Sequence, residues 1–145
     1  MRVTLLPLLV AFTALATASP ALAQQMQPGL WETKAEMTLD GIALPTMDDT
    51  DCVAEKSAKD AKRYVTRYLE ANDCQVTSWT YNVPALTVGV RCNHRFGKGA
   101  GVLKGTLTLA QFKVKGVVKT STDLAEMEFS VDFSGHYAHP CKKQN

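Results

Sequence analysis

The sequence predicts a mainly β protein: a single curved antiparallel sheet or open, barrel-like meander, with one helix packed on it and two disulfides. Three observations carry that expectation. Apolar and polar residues alternate with period two in run after run between residues 30 and 134, as in strands with one buried and one wet face. One segment, 52–70, instead repeats its apolar residues at three and four, the spacing of an amphipathic helix. Cys52, Cys74, Cys92 and Cys141 form an even set in which no two lie two to four residues apart, which favours two disulfides over a zinc site.

Residues 1–23 read as a leader. Arg2 precedes an apolar run, and the segment ends in Ala21-Leu22-Ala23, so a secretory signal peptide cleaved after Ala23 is expected. The run is broken by Pro7, Thr13 and Thr17 and falls short of the ~20 apolar residues that a membrane span needs. Residues 24–145 are therefore expected to form one mature domain, in the periplasm or outside the cell and not membrane-spanning. Arg2 is the only charge in the leader, which leaves 15 basic against 14 acidic residues. That balance gives no overall basic footprint for nucleic acid. A chain of this size buries roughly two-thirds of its unfolded surface, so covalent cross-links carry a large share of its stability.

The elements follow in order. In residues 30–39, Trp31, Thr33, Ala35, Met37 and Leu39 share one face, and Glu32, Lys34, Glu36 and Thr38 the other. Asp40-Gly41 is a tight-turn dipeptide and starts a returning strand at 42–44, which Pro45 and the polar run 46–50 break. Asp51 is the expected cap of the helix, whose inner face carries Ala54, Ala58, Ala61, Val65, Tyr68 and Leu69. Asn72-Asp73 end it. Cys74 opens a β-rich stretch through Trp79 and Tyr81, and a turn around Pro84 follows. Leu86, Val88, Val90 and Cys92 then alternate with polar residues. A glycine-rich turn is expected over 96–101, because no helix follows to make it a phosphate loop. Leu103, Leu107 and Leu109 alternate next, then Phe112, Val114 and Gly116, and finally Met127, Phe129, Val131 and Phe133.

Three cysteine pairings are possible. Neighbour pairing, Cys52–Cys74 and Cys92–Cys141, is favoured because it would staple the helix to the sheet and bring the C-terminal tail to the strand ending at Cys92.

The order Pro28-Gly29-Leu30-Trp31-Glu32, a cysteine leading into a helix, Cys74-x4-Trp79, a cysteine on the following strand, a glycine-punctuated meander and a last cysteine near the C-terminus resembles the domain-of-unknown-function 3617 family (DUF3617). The members of this family are small exported proteins of proteobacteria. The likeness covers about residues 26–141. The segment after the first strand is shorter and poorer in Met and Pro than the family pattern, and Pro140 rather than Gly precedes Cys141. The resemblance implies an envelope location and a disulfide-bonded β fold. It implies no reaction and no catalytic residues.

The residues offer four candidate constellations. Trp31, Trp79, Tyr81, Phe129 and Phe133 share the core-facing side of their strands and would line an apolar cavity if the concave face were open; as a large aromatic on the inward face, Trp31 is expected to be a core anchor. Lys56, Lys59, Arg63 and Arg67 form a basic helical stripe able to meet anionic lipid or polysaccharide. His94, His136 and His139 would converge on a metal only if the tail docks at Cys92. The acids Asp48, Asp49 and Asp51 lack the calcium-loop pattern. There is no G-x-S-x-G elbow, no H-E-x-x-H helix and no C-x-x-C pair, so no enzyme and no cofactor are expected. The leading expectation is a non-catalytic binding or envelope-maintenance protein, its partner a small apolar ligand or an envelope component. The alternatives are a carrier of an apolar ligand in the concave face, a histidine-based metal-binding protein, and a hydrolase without a known signature.

Overall fold

The computed structural model of the protein describes residues 25–94, 97–121 and 125–142; the expected leader lies outside them. Eight strands and two helices follow one another as β1 (Gly29–Leu39), β2 (Ile42–Ala43), β3 (Met47–Val53), α1 (Glu55–Ala58), α2 (Ala61–Ala71), β4 (Cys74–Asn82), β5 (Ala85–His94), β6 (Gly97–Leu107), β7 (Gln111–Ser121) and β8 (Glu126–His139). The strands make one open antiparallel sheet in the order β2-β1-β8-β7-β6-β5-β4, and β3 pairs with β1 beside β2. The expected mainly β fold with a packed helix and two disulfides is the fold observed.

Alternation decides which residues face inward. Trp31, Thr33 and Ala35 of β1 register with Tyr137, Gly135 and Phe133 of β8, and Phe133 with Val114 of β7. The same side continues through Leu103 and Leu107 of β6 to Leu86, Val88 and Val90 of β5. On β6, glycines stand opposite bulkier inner residues, Gly101 facing Val118 and Gly105 facing Val114. A Cβ at Gly105 would collide with the Lys113 carbonyl oxygen, and one at Gly101 with that of Val117. The missing side chains let the strands coil closely enough for the sheet to curl. Helix α2 fills the hollow with Ala61, Val65 and Leu69 and lies against β4.

The structure departs from the sequence reading at five places. The polar run after Pro45 is a strand, β3, with six of its seven residues exposed. Its backbone pairs with β1 from Gly29↔Val53 to Ala35↔Met47, and a charged edge strand carries no alternation to read. Asp51 and Cys52 lie in that strand, so Asp51 caps nothing. The single helix expected over 52–70 is two. Asp60, at φ −134° and ψ 76°, interrupts it and accepts the Arg63 N–H at 2.9 Å, capping α2. The glycine-rich turn is shorter than expected: Gly97 to Gly101 already belong to β6, and residues 95–96 lie outside the described residues. Leu109, expected inward, is exposed in the connection after β6.

The fifth departure is the disulfide pairing. The bonds are Cys52–Cys141 and Cys74–Cys92, not the neighbour pairs. Cys74 and Cys92 are direct register partners on β4 and β5. Leu30 of β1 pairs with Cys52 on one side and His139 on the other, so β8 delivers Cys141 to β3 rather than to β5. The Cα atoms of Cys52 and Cys141 are 5.9 Å apart, within reach of a disulfide.

Candidate functional site

A groove of about 690 Å3 runs between β3 and the two helices. Asp49 and Asp51 stand on the β3 wall; Lys56 of α1, then Asp60, Arg63 and Arg67, stand on the helical wall. Residues 60, 63, 64, 67 and 68 share one side of α2 because three- and four-residue steps return to the same face. The opposite side carries the buried Ala61, Val65 and Leu69. Tyr64 and Tyr68 sit at the boundary and form the floor with Thr33.

The floor rests on the core. The Tyr64 ring lies 6.2 Å from Trp31, and Tyr68 meets Phe112 and Phe133 edge-on at 6.0 and 5.7 Å. Burial, and then the charge of Asp51, pushes the Tyr64 phenol well above its ordinary value. Burial also raises Tyr68, and a hydrogen bond with Thr33 acts the other way. Both phenols therefore stay protonated at neutral pH. The walls do not neutralise each other: among the described residues no ion pair joins Asp49 or Asp51 to Lys56, Arg63 or Arg67. Asp49 instead accepts the Thr50 N–H at 2.8 Å.

The raised Tyr64 pKa has a consequence for stability at alkaline pH. An unfolded tyrosine ionises near pH ~10. Above that the folded state binds more protons than the unfolded one, so stability falls as pH rises. A Tyr64→Phe variant should lose this component, and its urea midpoint should gain on the wild type above pH ~10. A constant difference between the two from pH 8 upward would show that Tyr64 ionises freely in the fold.

The other candidate residues are placed as follows. Trp31, Phe129 and Phe133 are 0%, 4% and 1% exposed and belong to the core. Trp31 is the anchor that its alternation implied, and its indole N–H donates to the Gln27 carbonyl at 2.8 Å. Trp79 and Tyr81 are half-buried on β4. The Tyr81 hydroxyl donates to the Leu107 carbonyl at 3.0 Å, and the Trp79 Nε1–H is enclosed without a partner. None of the five lines the groove. The concave face that they were expected to line is filled by α2 and by their own side chains.

Of the basic stripe, Lys56, Arg63 and Arg67 line the groove, whereas Lys59 is exposed at the break between the helices and does not. The three histidines are not brought together. His94 ends β5 opposite Gly97, at the end of the sheet where β7 finishes; His136 lies opposite Gln111, where β7 begins. His136 Nε2 is 3.2 Å from Glu32 Oε2, and His139 Nδ1 is 2.8 Å from the Pro140 carbonyl oxygen. Among the described residues no group of three or more metal-ligating side chains assembles, and no helix is long and apolar enough to cross a membrane. The groove is not legible in the sequence, because its acidic wall is a polar run without an apolar period.

Fold and groove define a class: a disulfide-stapled β-meander curled around a short helix, with a polar cleft along the seam between the helix and its edge strand. The chain belongs to the family described as Protein of unknown function (DUF3617), whose model matches residues 26–141. Searches of the curated proteins and of the solved structures find no match.

Proposed function

We propose that the protein is a non-catalytic binding protein of the periplasm, and that the groove between β3 and α2 takes a small ligand carrying both an anionic and a cationic group. One observation carries the reading: cations and carboxylates stand on facing walls without bridging to each other, above two neutral phenols that can donate hydrogen bonds. Arg63 and Arg67 suit a phosphate or carboxylate, since guanidinium binds oxyanions through paired N–H groups. Asp49 and Asp51 suit the ammonium end. The periplasmic assignment is supported by the leader-like first 23 residues and by two disulfides, which persist in oxidising compartments. An apolar cargo is disfavoured because the concave face is packed.

Phosphoethanolamine is a suitable probe, with inorganic phosphate and ethanolamine as single-charge controls. Titration followed by amide chemical shifts should give a saturable response at Thr33, Asp51, Arg63 and Arg67. Phosphoethanolamine should bind more tightly than either control, and Arg63→Glu should weaken it at least tenfold. No saturable response in the groove, or equal affinity in the Arg63→Glu variant, would overturn the assignment.

A further inference from the structure

Charge is divided unevenly over the molecule. Residues 74–121 contain seven basic residues and no Asp or Glu, and strands β4–β7 lie within this range. Strand alternation places Arg91, Lys98, Lys104, Lys113, Lys115 and Lys119 on the exposed outer face, while Val90, Cys92, Leu103, Phe112, Val114 and Val118 point inward. Near neutrality of the whole chain conceals this patch.

Two features of the face are not explained by folding. Lys104 and Lys115 stand directly opposite each other, an arrangement that costs stability. The other neighbour of Lys104 is Thr87, so no carboxylate lies across from it. One step along the same face, Val102 and Val117 are also direct partners, and they remain 51% and 37% exposed. Carboxylates border the face on both sides: on β8, Asp132 stands opposite Lys115 and pairs with Lys113 at 3.3 Å, and Glu128 stands opposite Lys119, while Glu70 and Asp73 line a pocket together with Arg91 and Lys98. The charge with no carboxylate across from it is thus centred on Lys104, next to the two valines.

We propose that the outer face of β5–β7 docks on the surface of an anionic lipid bilayer, with the lysines on the head groups and Val102 and Val117 entering the interface. β6 and β7 are central strands of a curled sheet, so their outer side is the part that a flat surface meets first. Lysine stems lie along apolar surroundings while their ammonium groups reach phosphate. A soluble polyanion would use the lysines and leave the valine pair without a role. The proposal is independent of the groove, none of whose lining residues stands on this face.

The test is co-sedimentation of the disulfide-bonded chain with vesicles of phosphatidylcholine containing about one-third phosphatidylglycerol, and with pure phosphatidylcholine vesicles. Binding should appear only with the anionic vesicles and weaken as salt rises, because screening shortens the reach of the charges. Lys104→Glu with Lys115→Glu should reduce it at least tenfold. Val102→Ser with Val117→Ser should reduce it severalfold without changing the salt dependence. All four sites are exposed, and circular dichroism checks the fold. Arg63→Glu, which impairs the groove, should leave vesicle binding intact. No binding at low salt, equal binding to neutral vesicles, or insensitivity to the lysine pair would overturn the proposal. Insensitivity to the valine pair together with equal affinity for heparin would reassign the face to a soluble polyanion and overturn it as well.

Discussion

Replacing Cys52 and Cys141 together by serine is expected to lower the stability of the protein by about 4–5 kcal/mol. The two residues are 89 apart in sequence, and chain-entropy arithmetic assigns an effect of that order to closing a loop of such length. Cys52 is exposed and Cys141 half-exposed, so serine disturbs no core packing and the loss reports the cross-link itself. Small domains hold about 5–15 kcal/mol in total, and the variant should sit near its unfolding transition at ordinary temperature. Urea denaturation of the double variant against the wild type measures this. A midpoint shift equivalent to less than about 1 kcal/mol would show that β3 and the C-terminal tail are already constrained without the bond. The Cys74–Cys92 bond, with a separation of 18, closes a smaller loop and by the same arithmetic contributes about 3 kcal/mol.

Truncating Trp31 to alanine should cost about 3–5 kcal/mol, as for other large buried aromatics. Its ring is fully enclosed, stacks on Phe112 with centroids 6.3 Å apart and supports Tyr64. Its N–H also ties the segment before β1 to the core through Gln27. That segment is held from two further sides: the Met26 N–H donates to the Ala58 carbonyl and the Gln27 N–H to the Leu109 carbonyl. Loss of Trp31 should therefore loosen the groove floor as well as the core. In the Trp31→Ala variant the groove should bind phosphoethanolamine more weakly even where the protein is still folded. A near-native urea midpoint would mean that the cavity collapses onto its neighbours at little cost.

The parts of the fold legible in the sequence were those whose side chains take sides. Strands β1, β5, β7 and β8 put apolar residues on alternate positions against a core, and period two identifies such segments directly. Asp40 and Gly41, both at positive φ, form the turn that their identities imply. β3 was illegible because it is held by backbone pairing and a disulfide, neither of which leaves an apolar period. The break at Asp60 was illegible because the three- and four-residue apolar spacing runs on across it, from Ala58 through Ala61 to Val65, although the Asp60 side chain caps α2. The cysteine pairing depends on which strands are neighbours, and Cys141 reaches Cys52 only because β8 lies beside β1. The groove inherits all three omissions, since one wall is β3 and the other is the helix that Asp60 begins. Its cations were visible as a stripe, but what they face was not.

The position of β1 has a consequence for how the molecule comes into being. It is first in the chain, yet β8 flanks it on one side and β3 on the other. A polypeptide emerging amino end first must wait for residue 139 before the β8 partner of Leu30 exists. Pairings between such distant segments are intrinsically slow to form, so the β1–β8 seam cannot close until the tail has emerged, whereas the hairpins from β4 to β8 need only their neighbours.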